Sequence, residues 1–130
     1  MDIIKESLEA LVKGLQYSSE SDFPFAVLNW GNINEDAIQQ NILANHGKPA
    51  SLVKADTDTF FNHYIQRHQS GDDDTMRANA LQFQKLYDYI KSVAVSTEVW
   101  RCGEIRIGIY IIIKTTDNSV LALQTTAVET

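Results

Sequence analysis

The sequence predicts an α+β domain, a three-layer α/β/α sandwich whose mostly antiparallel central sheet ends in a C-terminal hairpin. Three observations lead there. Helical periodicities come first along the chain and strand patterns last, the order expected of α+β rather than alternating α/β. Glu104 to Lys114 (EIRIGIYIIIK) sets Ile105, Ile107, Ile109, Ile111 and Ile113 on one face at period two, and Val120 to Thr126 returns as the hairpin partner across Thr116-Asp117-Asn118-Ser119. Tyr110 and Ile112 make the second face of that strand apolar as well, so helices are expected on both sides of the sheet.

The elements follow in order. Ile4, Leu8, Leu11, Val12 and Leu15 fall at helical spacing, with Asp2 placed to cap the start and Gly14 to mark the end. A polar loop, Ser18-Ser19-Glu20-Ser21, leads to a strand over Phe25 to Trp30 that Pro24 enters and Gly31-Asn32 turns out of. Asn34 caps a helix whose first turn carries Glu35 and Asp36, where the helix dipole favours acids, and which ends near Gly47. Ser51 to Val53 reads as a short strand. Asp56 or Asp58 caps a helix holding Phe60, Phe61, Tyr64 and Ile65. After the loop Gln69 to Asp74, a long helix from Thr75 carries the stripe Met76, Ala80, Phe83, Tyr87, Ile90 and Ala94, and Val99 to Cys102 is a strand ahead of Gly103.

The 130 residues suffice for one domain, residues 1–130, and no repeat or linker divides them. With 44% hydrophobic and 22% charged residues the composition is that of a globular, ordered chain. The net charge of -6 argues against direct nucleic-acid binding, which needs clustered Lys and Arg, and suits a protein partner with a basic groove. Cys102 is the single cysteine, so no intramolecular disulfide forms and nothing points to an oxidising compartment. No signal-peptide pattern and no membrane-length apolar run is present, so a cytoplasmic, soluble protein with no membrane partner is expected.

Few motifs carry chemistry. His63 and His68 lie five apart, off the usual spacing of a helical metal pair, and with His46 read as surface or helix-end residues. Asp72, Asp73 and Asp74 lack the glutamate that completes an EF-hand loop and suit the start of the following helix. Ser19 or Ser21 beside Glu20 raises a hydrolase reading, yet the Gly-x-Ser-x-Gly elbow is missing and no glycine-rich phosphate loop exists. No cofactor, no metal of its own and no catalytic residue are expected.

Several stretches together resemble one family. They are SESDFPFAVLNWG (Ser19 to Gly31), VKADTDTFF (Val53 to Phe61), FQKLYDYIKS (Phe83 to Ser92) and VWRCGEIRIGIYIIIKTT followed by LALQTTAVET. In order and spacing these are similar to the nuclease A inhibitor (NuiA-like) family, from the first helix to the last residue. The resemblance implies an α/β/α sandwich that blocks a sugar-non-specific, Mg²⁺-dependent endonuclease of the ββα-metal type. It implies that Glu20 of the Ser-Glu-Ser loop and Thr130 approach the partner's Mg²⁺. Ser19, Ser21 and Glu129 then belong to the partner-binding surface, with Asp72, Asp73 and Asp74 as rim acids. The segment Ser70 to Thr75 departs from the family pattern, being acidic but without a tryptophan. A non-catalytic interaction or regulatory module with another partner is therefore the alternative. The free protein is expected to be a monomer.

Overall fold

The alternating residues of a single isoleucine-rich strand decide the architecture. Ile107, Ile109, Ile111 and Ile113 enter one apolar cluster, while Tyr110 and Ile112 of the same strand enter a second, so both faces of that strand are buried. The computed structural model describes residues 3–47, 51–71 and 73–129. The elements run α1 (Ile3–Val12), β1 (Gln16–Ser18), β2 (Asp22–Pro24), β3 (Ala26–Gly31), α2 (Glu35–His46), β4 (Leu52–Ala55), α3 (Thr57–Gln69), α4 (Asp74–Val93), β5 (Ser96–Cys102), β6 (Arg106–Lys114) and β7 (Val120–Val128). This is the α+β class that the sequence predicts. The proposed Asp2 cap lies outside the described residues.

The main sheet has the order β3-β7-β6-β5-β4, and each of its pairings is antiparallel. Leu8 and Val12 of α1, Phe61, Tyr64 and Ile65 of α3, and Phe83, Leu86, Tyr87 and Ile90 of α4 enter the first cluster. Ile38 and Ile42 of α2 enter the second, against Trp100, Cys102, Tyr110, Ile112, Val120 and Ala122. The Tyr87 hydroxyl donates to Asp58 and so ties α4 to the first turn of α3. Burial and then this bond push the Tyr87 pKa up to about 12.

Local signals place the helix ends well. Asn34 Oδ1 accepts the Ala37 N–H at 2.9 Å, and Gly47 closes α2 in the left-handed region with φ 81°. Asp56, rather than Asp58, caps α3, accepting from Thr59 N at 3.0 Å.

Several expectations need correction. β3 begins at Ala26, β5 begins at Ser96, and β7 continues to Val128, two residues past the expected end. β6 begins at Arg106, which leaves Ile105 61% exposed rather than in the row with Ile107. Gly103 explains this: its φ is 109°, and a Cβ there would stand 2.7 Å from the Arg106 carbonyl oxygen. The chain folds tightly over that glycine, and the residues before Arg106 lose the strand's alternation. The polar loop is the turn of a small hairpin that the sequence reading lacks, β1–β2, with Tyr17 opposite Phe23 and Ser18 opposite Asp22. Finally, His68 stands in the last turn of α3, as a helix-end residue, but is buried rather than on the surface.

Candidate functional site

The hairpin β1–β2 has only three residues in each strand, too few to stand alone. Side chains from the helices hold it. The Tyr64 hydroxyl accepts the Ser18 N–H at 3.0 Å and donates to the Gln16 carbonyl at 3.1 Å. Asn79 Nδ2 donates to the same carbonyl at 2.8 Å and to the Tyr64 hydroxyl at 2.9 Å, while Asn79 Oδ1 accepts the Gln16 N–H at 3.2 Å. Tyr17 stacks on Tyr64, with ring centroids 4.8 Å apart. Burial raises the pKa of both phenols, which keeps them neutral and Tyr64 a donor. On the other side, Thr125 Oγ1 of β7 donates to the Pro24 carbonyl at 2.9 Å, and the Arg106 guanidinium lies 5.0 Å from the Phe23 ring centroid.

This support puts Glu20 at the middle of the three-residue hairpin turn, exposed, between Ser19 and Ser21. The Glu20 N–H donates to the Val128 carbonyl at 3.3 Å. Ser19 Oγ accepts the Val128 N–H at 2.9 Å and donates to the Ser21 carbonyl at 3.2 Å. The tail is fixed in turn. Glu129 N–H donates to the Ile105 carbonyl at 2.9 Å, and its carboxylate takes the Arg101 guanidinium at 2.7 Å. Glu20 and Glu129 thus line one open cleft of about 620 Å³, together with Arg101, Arg67 and His63.

A neighbouring cleft of about 790 Å³ shares Ser18, Ser19, His68 and Met76 with the first and reaches Asp22 and Asp73. Asp73 lies on that rim, but its carboxylate caps α4, accepting from Thr75 N at 2.8 Å. Asp74 pairs with Arg77 one turn on. Asp72 and Thr130 lie outside the described residues. Of the expected partner-binding residues, the fold therefore gathers Glu20, Ser19, Ser21 and Glu129, with Asp73 on the adjoining rim.

His63 and His68 share the cleft with Ser19, which brings serine and histidine nearer than the sequence indicates. The hydrogen bonds do not form a nucleophile–base pair. The Ser19 proton goes to a carbonyl, and His68 Nδ1 lies 3.1 Å from the Tyr64 carbonyl, to which it can only donate. Among the described residues no group of three or more His, Cys, Asp or Glu is placed to hold a metal ion, and no helix is long and apolar enough to cross a membrane. Cys102 is buried, and burial raises its thiol pKa.

Burial, and secondarily the nearby Arg67 charge, lowers the His68 pKa. A folded pKa below the unfolded value means that the unfolded chain binds the proton first. His68 thus supports the fold fully above about pH 6.5, the ordinary histidine value, and this support is lost as pH falls through the lowered folded value. Chemical denaturation at pH 7.5 and pH 5 is expected to show the parent losing stability on acidification, by at most about 1.4 kcal/mol per pH unit for one proton. His68→Gln should lose less across the same interval. Equal losses in both proteins would remove His68 as the cause.

Sequence reasoning missed Arg101, Tyr64 and Asn79 as parts of this surface. Arg101 follows the buried Trp100 on a strand, so alternation alone sends it to the opposite face. Tyr64 and Asn79 carry no such signal, because their bonds to β1 join residues 46 to 63 positions apart.

Compared with known proteins, the chain matches a family model described as "Nuclease A inhibitor-like protein" over residues 2–130. No curated protein matches it.

Proposed function

We propose that this chain, which belongs to the nuclease A inhibitor-like family, is a proteinaceous inhibitor of a sugar-non-specific, Mg²⁺-dependent ββα-metal endonuclease. It acts by occupancy, without catalysis, and blocks the partner's active site with the Glu20 loop and the tail residue Thr130. The observation that carries this reading is the joining of loop and tail. Ser19 and Val128, 109 positions apart in sequence, are hydrogen-bonded, and Glu20 and Glu129 line one cleft beside that bond.

The chemistry is complementary. A nuclease groove holds phosphates around a hard cation, and carboxylate oxygens are hard ligands that stand in for phosphate oxygens. A chain of net charge -6 is steered toward such a groove, and its association slows with added salt. Glu20 is placed to approach the partner's metal. Glu129, already held by Arg101, serves the tail rather than the metal. Ser21 and Asp73 border the contact, and Asp72 and Asp74 are assigned to its outer rim. The free inhibitor is a monomer in the cytoplasm and needs no cofactor.

The test is DNA digestion by a Mg²⁺-dependent ββα-metal nuclease at fixed concentration, titrated with the protein. Stoichiometric inhibition is expected, with the variant lacking Thr130 weakened about tenfold or more. No inhibition at large excess would sink this reading and favour an interaction module with another partner. Full inhibition by the shortened variant would remove Thr130 from the site.

A further inference from the structure

The hairpin loop and the end of β7 are bonded directly to each other. Val128 spends both backbone groups on the loop: its N–H goes to Ser19 Oγ at 2.9 Å and its carbonyl accepts from Glu20 N at 3.3 Å. The Ser19 hydroxyl also donates to the Ser21 carbonyl at 3.2 Å, the oxygen that accepts the Ser19 N–H at 3.0 Å. The hydroxyl therefore adds to the backbone closure of the turn and is the side-chain group that joins the loop to the tail. The Arg101–Glu129 pair and the Glu129–Ile105 backbone bond hold the next residue from the opposite side.

We infer that Ser19 is a positioning residue: its hydroxyl latches the Glu20 loop to Val128 and so holds together the loop and the end of β7, the two prongs of the contact. This rests on the inhibitory role proposed above and changes what Ser19 is for, from touching the partner to setting the spacing of the two prongs. The physical reason is preorganisation. Two prongs held at a fixed spacing engage a groove together, so that the second contact forms without a further search. Prongs that move independently lose that gain even when each keeps its own chemistry. The hydroxyl proton and one lone pair are already used within the molecule, which leaves Ser19 little to offer a partner.

Because a latch matters only while both prongs are present, its signature is non-additivity. Inhibition by the full chain is measured for the parent, Ser19→Ala, Glu20→Gln and the variant lacking Thr130, and for Ser19→Ala combined with each of the other two. Ser19→Ala is expected to weaken inhibition about tenfold, as for loss of a partly buried hydrogen bond that positions others. Added to either prong deletion it should cost less than about twofold more. Parent-like inhibition by Ser19→Ala overturns the assignment, and so do losses that simply add, which indicate direct contact or general destabilisation.

Amide hydrogen exchange supplies a readout that needs no nuclease. In Ser19→Ala the Val128 and Glu20 amides are expected to exchange about tenfold faster or more, while Leu121 and Leu123 in the same strand stay protected. Unchanged exchange at Val128 overturns the latch even if the parent inhibits. A parent that does not inhibit removes the function and with it the role of Ser19, whatever the exchange result.

Discussion

Replacing Glu20 by glutamine is expected to weaken inhibition of the target nuclease about 30-fold or more while leaving the fold unchanged. The side chain is exposed at the middle of the β1–β2 turn, and the loop's backbone is held by the Glu20 N–H to Val128 and by Ser19. Glutamine keeps the size and loses the charge, so the variant reports on the carboxylate alone. An interface group that meets a metal-bearing pocket is of hot-spot class, worth about 2 kcal/mol or more, which is the stated fold-change. Asp22→Asn removes the same unit of charge from the second hairpin strand and should cost far less, mainly through the association rate. Equal losses in the two variants would assign the effect to net charge and take Glu20 out of the metal contact.

Phe83→Ala should cause the largest loss of stability, about 3–5 kcal/mol, which is a large share of the 5–15 kcal/mol typical of a domain. Phe83 is fully buried on α4, and its ring lies 4.4 Å from Tyr64, 5.1 Å from Phe61, 5.8 Å from Phe25 and 6.5 Å from Tyr17, centroid to centroid. These rings come from α3, from β1 and from the residue before β3, so the cavity would open beneath the hairpin as well as between helices. Thermal melts should show a midpoint lower by roughly 10–20 °C. At temperatures where the variant stays folded, inhibition should weaken too, because Tyr64 and Tyr17 support Glu20 from below. A midpoint within a few degrees of the parent would show that the site collapses around the missing ring.

What the sequence reveals and what it conceals divide by range. Asn34 and Gly47 bound α2 as expected because capping is settled within a turn of the residue concerned. The paired strands β6 and β7 are legible because their alternation is long and their turn residues stand together at Thr116 to Ser119. Ile105 misleads for an equally local reason: the pattern of its neighbours extends over it, while the glycine two residues earlier ends the strand. The hairpin that presents Glu20 is concealed because Tyr64 and Asn79 form it, and they are far along the chain. His68 has the sequence setting of a helix-end residue, yet only the packing of α3 under the hairpin decides that it is buried. At the candidate site, only the resemblance to a family points to Glu20 and the tail. Arg101 and the work of the Ser19 hydroxyl needed coordinates.

β7 lies between β3 and β6 rather than at an edge, although it follows both of them in the chain. Synthesis therefore delivers the strand that joins β3 to the rest of the sheet only after the other four strands of that sheet have been made. Before it arrives, β3 has no partner in that sheet, and one side of β6 is open. A nascent chain cut short within β7 would lack both the closing strand and the tail that follows it. Products cut short within β7 are therefore expected to be unfolded clients of proteolysis rather than well-folded molecules that lack only their last residues.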